Sequence, residues 1–109
     1  MSSDITVTRV IAKLPSRFQA DAAESLNVIF QFLLEDDDNF YITIKNQSCS
    51  TTQGEHPDPS VTLLMDAETF INVVTGKQDG MSAFMKGQLR AEGNVILATK
   101  LGKLFKDKS

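Results

Sequence analysis

Residues 26–45 read Leu-Asn-Val-Ile-Phe-Gln-Phe-Leu-Leu-Glu-Asp-Asp-Asp-Asn-Phe-Tyr-Ile-Thr-Ile-Lys, and their period decides the fold. Val28, Phe30, Phe32 and Leu34 share one side, while Asn27, Ile29, Gln31 and Leu33 share the other. Successive side chains of an extended strand point to opposite faces, so a period of two predicts a strand. Glu35 to Asn39 interrupts the pattern with polar residues. Alternation then resumes, with Phe40, Ile42 and Ile44 against Tyr41, Thr43 and Lys45. Two alternating runs joined by a short polar turn predict an antiparallel hairpin. The adjacent Asp36, Asp37 and Asp38 lack the glycine and terminal glutamate of a calcium loop and read as a solvated turn.

Downstream, Asn46 to Thr52 predicts a third, solvent-facing strand, and Gly54 to Pro59 a loop. Val61, Leu63 and Met65 form one face of a further strand. Asp66 is a good N-cap for a helix through Phe70, Val73 and Val74, which Gly76 closes. A short helix with Met81, Phe84 and Met85 follows, then a last strand within Gln88 to Glu92. Gly93 and Asn94 turn the chain into a final helix whose apolar stripe is Leu97, Leu101, Leu104 and Phe105. Upstream, Val7, Val10, Ile11 and Leu14 recur at helical spacing, with Ser3 or Asp4 as the expected cap. Pro15 is expected to end that helix and open a short second one through Phe18, Ala20, Ala22 and Ala23.

The 109 residues fit one domain, 1–109, since domains commonly run to ~100–150 residues. Apolar residues make up 41% and charged residues 23%, an ordinary globular balance. No run approaches the ~18–20 apolar residues that a membrane span needs, and the N-terminus carries no continuous apolar signal segment. The single cysteine, Cys49, cannot form an internal disulfide, so a cytoplasmic setting is expected. Charge is uneven. Residues 1–85 hold 5 basic and 12 acidic residues, whereas residues 86–109 hold 6 basic and 2 acidic ones. The basic end can face an anionic headgroup or membrane surface, or simply be a solvated helix face. Nucleic-acid binding is not expected from an acidic chain without a nucleic-acid motif.

Catalytic and metal motifs are wanting. His56 is the only histidine and sits in a polar loop, so no Cys/His zinc cluster can form. A Cys49–His56 pair would still need orienting groups and an oxyanion site. Gly76-Lys77 lacks the glycine spacing of a phosphate loop and follows a helix instead of opening one.

A family resemblance rests on an ordered set of residues. Asp66-Ala67-Glu68-Thr69-Phe70, Gly76-Lys77, Ala83-Phe84-Met85-Lys86-Gly87-Gln88-Leu89, Gly93-Asn94, Leu97-Ala98 and Leu101 resemble the C-terminal half of sterol carrier protein 2 domains. Leu14-Pro15, Phe18 and Ala22-Ala23 resemble their helical entry, and Phe40 to Ile44 fits a paired strand. Gln88 stands where lysine is frequent, and Phe40 where tryptophan is common.

The resemblance implies an α/β (α+β) domain: a mixed sheet of about five strands, covered on one face by helices. It also implies an apolar tunnel between sheet and helices that takes acyl chains, acyl-CoA, phospholipids, sterols or isoprenoids with low selectivity. A small free-standing bacterial-type member is expected, with no catalytic residue, metal or cofactor. The expected cavity wall combines Phe30, Phe32, Ile42, Ile44, Leu63 and Met65 from the strands with Phe70, Val74, Met81, Phe84 and Met85 from the middle helices. Leu97, Leu101, Leu104 and Phe105 complete it from the last helix. In any domain these apolar faces would also serve as core. The expected function is non-catalytic binding and transfer of lipid. The alternatives are an accessory carrier for isoprenoid-quinone intermediates and a module that docks onto an enzyme. The expected partners are a lipid or isoprenoid molecule and an anionic membrane met through Lys100, Lys103 and Lys106; a homodimer stays open.

Overall fold

The computed structural model describes residues 6–105, with side-chain detail set aside at positions 22, 99, 102 and 103. Five strands form one sheet: β1 (Val28–Leu34), β2 (Phe40–Lys45), β3 (Ser48–Gln53), β4 (Val61–Met65) and β5 (Arg90–Gly93), in the order β3-β2-β1-β4-β5. The hairpin is antiparallel, with Phe30 opposite Ile42 and Phe32 opposite Phe40. Strand β4 returns parallel to β1, placing Phe32 beside Leu63, and β5 pairs antiparallel with β4. The sheet is therefore mixed, and β1 is at its centre. The β2–β3 turn is a tight two-residue one, with Asn46 and Gln47 at φ of 54° and 60°. Both central residues need positive φ to match the twist of a two-residue hairpin.

Helices α1 (Val7–Arg17), α2 (Ala67–Val74), α3 (Gly80–Met85) and α4 (Val95–Leu104) cover one face of the sheet, with a short 3-10 turn at Ala20–Ala23. Between the layers Phe32 stacks on Phe40 at 4.9 Å, and the Phe70 ring meets both edge-on at 5.1 Å. Each of these rings is fully buried. Burial of one such side chain contributes ~1.5–3 kcal/mol, so this stack ties α2 to the hairpin.

The first helix departs from expectation at both ends. Its cap is Thr6, whose hydroxyl accepts from Arg9 N at 3.2 Å; Ser3 and Asp4 lie outside the described residues. The helix also runs through Pro15 to Arg17. A proline removes one ladder bond, to the Ile11 carbonyl, and that loss falls where the helix is already ending. Asp66 caps α2 as expected, accepting from Thr69 N at 2.8 Å.

Two close approaches set the ends of the central strands. Gly93 has φ of +95°, and a Cβ there would stand 3.0 Å from the Ser60 carbonyl oxygen. On the sheet's other face Gln31 is buried, with its amide donating to the carbonyls of Phe40 and Gly54 at 3.1 Å. Its Oε1 accepts from His56 N at 2.7 Å. One side chain thus satisfies backbone groups of the 54–56 loop and holds it against the sheet.

Candidate functional site

Helix α3 is short and buries only Ala83. Asp79 fixes its start by accepting from Ser82 N at 3.2 Å. Its end is tied when Gln88 N and Leu89 N both donate to the Ala83 carbonyl, at 2.9 and 3.2 Å. A groove opens between this helix, β5 and α4. Gly80, Met81 and Phe84 form one wall, Leu89 and Ala91 the floor, and Val95 and Ala98 the other wall. These positions share flanks because residues three and four apart lie on one side of a helix. Leu89 is buried, whereas Met81, Phe84 and Val95 are 44%, 47% and 46% exposed. The lip is therefore apolar and wet, and no charged residue is among the described residues that line it. The groove's volume is about 90 Å³.

The structure divides the expected cavity wall into three groups. Met81 and Phe84 line the groove. Met85 stands outside it, 79% exposed. The rest are packed interior: Phe30, Phe32, Ile42, Ile44, Leu63 and Met65 on the sheet, Phe70 and Val74 on α2, and Leu97, Leu101, Leu104 and Phe105 at the end of the chain. The three methionines of the expected wall are split, since Met65 is buried while Met81 and Met85 reach water. Helix α4 turns Val95 and Ala98 toward the groove, and its leucine stripe faces the core. Leu89, Ala91, Val95 and Ala98 escape the expected wall because the first two flank a short strand and the last two lie beside the leucine stripe, and only the fold brings them together. The i, i+3 spacing of Val95 and Ala98 beside the stripe is the one clue to a second apolar flank.

The remaining reactive side chains are separated by the sheet. Cys49 opposes Ile44 on the helix-covered face, where partial burial pushes its thiol pKa up. His56 lies on the other face, its ring edge-on to Tyr41 at 5.1 Å and its Nδ1 accepting from Asp58 N at 3.0 Å. The two cannot act as a nucleophile–base pair across the sheet.

A second concavity lies on α1. Arg9, Lys13 and Arg17 recur every four residues and, with Val10 and Ala12, face Thr75 across a groove of about 350 Å³. Lys100 is exposed on α4, and the side chains of Lys103 and Lys106 lie outside the described residues.

A five-stranded mixed sheet, helices on one face and an apolar groove between α3, β5 and α4 define a small sheet-and-helix domain. The chain belongs to the SCP-2 sterol transfer family, whose model matches residues 8–106. It is 36% identical over 90 residues to peroxisomal multifunctional enzyme A of Dictyostelium discoideum, covering 79% of this chain and 20% of that protein. The chain thus spans about a fifth of the curated relatives it matches. Among solved structures it superposes on apo sterol carrier protein 2 of Yarrowia lipolytica with a TM-score of 0.68 and 27% identity, covering 92% of this chain and 84% of that one. It also matches the palmitated SCP2L2 of Aedes aegypti at TM-score 0.70 and 18% identity, covering 94% and 96%.

Proposed function

We propose that this domain binds lipid-like molecules, seats their apolar tails in the groove between α3, β5 and α4, and passes them on chemically unchanged. The observation that carries the reading is the lip of the groove, where Met81, Phe84 and Val95 stand half in water around a buried Leu89. Large apolar side chains left exposed around a concavity mark a binding site. Membership of a sterol transfer family supports the reading. The fold shared with a palmitated protein makes an acyl chain the first probe.

At about 90 Å³ the groove is smaller than a cavity of ~150 Å³ that takes a benzene. A long chain therefore enters by parting α3 from α4. The parting element is α3, because it has six residues and buries only Ala83. Each methylene transferred from water contributes ~0.8 kcal/mol, so a sixteen-carbon tail has ample driving force to displace so lightly held a helix.

The wall proposed for the ligand is thus Met81 and Phe84 together with Leu89, Val95 and Ala98. The deeper expected residues, such as Phe70 and Leu101, join it only if the interior opens. Lys100 would meet an anionic membrane during delivery. A cytoplasmic setting is proposed from the lone cysteine, although the Dictyostelium relative is named as peroxisomal. Among the described residues no helix is long and apolar enough to cross a membrane. A second reading, a docking module of a larger enzyme, is favoured by the relatives in which the matched region is a fifth of the protein.

Mass spectrometry of an organic extract, joined to displacement of a fluorescent fatty acid, tests the reading. The expected result is a co-purifying acyl lipid and saturable, micromolar displacement by unlabelled chains. A bound quinone precursor would shift the role to isoprenoid-quinone synthesis. Absence of saturable binding to acyl chains, sterols and quinones would leave the docking module.

A further inference from the structure

We propose that the side-chain amides of Gln78 and Gln88 form a latch that holds α3 shut and sets how fast a ligand enters the groove. The role in ligand entry rests on the lipid reading, whereas the latch itself does not. The Gln78 Nε2 donates to the Gln88 Oε1 at 2.6 Å. Gln78 precedes α3 and Gln88 follows it, so this bond closes the neck of a loop that carries the whole helix. Compact surface loops of ~6–16 residues whose ends meet are frequently functional, and residues 78–88 form one.

Each half of the pair is anchored to a different part of the fold. Gln78 N donates to the Asn72 carbonyl at 3.0 Å, which ties this end to α2. Gln88 precedes the buried Leu89 and then Arg90, which pairs with Leu64 on the sheet. The bond therefore joins the end of α2 to the start of β5 across the foot of α3. The helix it confines is lightly packed, with Ala83 buried and Met81 and Phe84 half in water. Gly76 and Gly87 flank the helix at φ of +84° and +77°, with open space where a Cβ would stand. Glycine in that region turns the backbone at little steric cost, so α3 has a pivot at each end and a fastening across its foot.

The strength of the fastening suits a latch. The pair lies at the surface, so water replaces each partner when the neck opens and the bond can re-form. The net effect of one such bond on an equilibrium is roughly two- to tenfold. That is enough to slow opening and too little to forbid it.

Thiol labelling of the full chain tests the latch without any ligand. In a Cys49→Ser background, Ala83→Cys places a thiol at the buried contact of α3, where its labelling reports opening of the helix. Gln78→Ala and Gln88→Ala should each quicken that labelling roughly two- to tenfold, and the double variant no more than either single change. Gln78→Lys/Gln88→Glu, which keeps a donor facing an acceptor, should return the rate toward that of the parent. Leu89→Cys, on the floor of the groove, serves as the reporter if Ala83→Cys folds poorly. In chains with Cys49 and Ala83 intact, stopped-flow association of a fluorescent fatty acid should rise by the same factor in the alanine variants. Unchanged labelling, or single effects that add in the double variant, would overturn the latch. Faster labelling with unchanged association would overturn its control of entry. If the fatty acid does not bind at all, the lipid reading fails, and labelling still decides the latch.

Discussion

Gln31 shows how a single side chain can hold a loop. It is buried on β1 and bonds to the carbonyls of Phe40 and Gly54 and to the amide of His56. Gln31→Ala would remove the side-chain partner of the buried Phe40 carbonyl and release the half-buried Gly54 and His56 groups, at ~1–3 kcal/mol for an unsatisfied group. Urea unfolding should register a loss of that order, and amide exchange should quicken at residues 54–56. Gly93 offers a second test at the same scale. With φ of +95° and a Cβ position 3.0 Å from the Ser60 oxygen, Gly93→Ala meets both strain and a backbone collision. Gly54 has φ of +105° and open space around it, so Gly54→Ala carries the strain alone. Denaturation should show Gly93→Ala as the more destabilising by at least ~1 kcal/mol. Neither effect is legible from glycine composition, because Ser60 lies far from Gly93 in sequence.

At the scale of elements, α2 and α3 contrast. Helix α2 is anchored by a fully buried Phe70 and by the Asp66 cap. The bonds from Thr69 hold the Asp66 carboxyl pKa below its ordinary value. A depressed folded value gives stability that is present above the unfolded pKa and lost as pH falls through the folded one. Asp66→Ala should therefore cost ~1 kcal/mol at neutral pH. That difference from wild type should shrink only in acid, below the usual carboxylate range, when followed by thermal melting across pH. Helix α3, by contrast, presents half-exposed Met81 and Phe84 to the groove. Phe84→Trp should narrow the groove and weaken fatty-acid binding several-fold with little loss of stability. Phe70→Ala, in the packed interior, should cost ~3–5 kcal/mol. If Phe84→Trp instead leaves a folded but markedly destabilised domain at unchanged ligand affinity, Phe84 is core and the groove is not the site.

Across the whole molecule, stability is graded from the sheet outward. Strand β1 is paired on both sides and its inner face is covered, whereas α3 rests on one buried alanine. Hydrogen exchange should rank β1 and β4 as slowest and α3 as fastest among the helices, with a bound acyl chain slowing α3 and the first turn of α4 most. Protection confined to the central strands on ligand addition would place the lipid in the interior and reassign the wall to Phe70, Leu97 and Leu101.

The local period of the chain determined the elements. Alternation over residues 26–45 specified the hairpin, Asp66 specified a helix start, and the spacing of Leu97, Leu101 and Leu104 specified the inward stripe of the last helix. Such features are local because side-chain direction follows backbone geometry within a few residues. The ordered set from Asp66 to Leu101 also carried the family. The tertiary structure decided which apolar residues are packed and which border open space. Phe70 and Phe84 are the same residue type on neighbouring helices, yet one is fully buried and the other half in water. That difference depends on how closely α3 sits against β5 and α4, a distance set by packing between elements far apart in sequence. The same holds for the basic groove, where the i, i+4, i+8 spacing of Arg9, Lys13 and Arg17 is written in the sequence. Only the approach of α2 makes that flank concave.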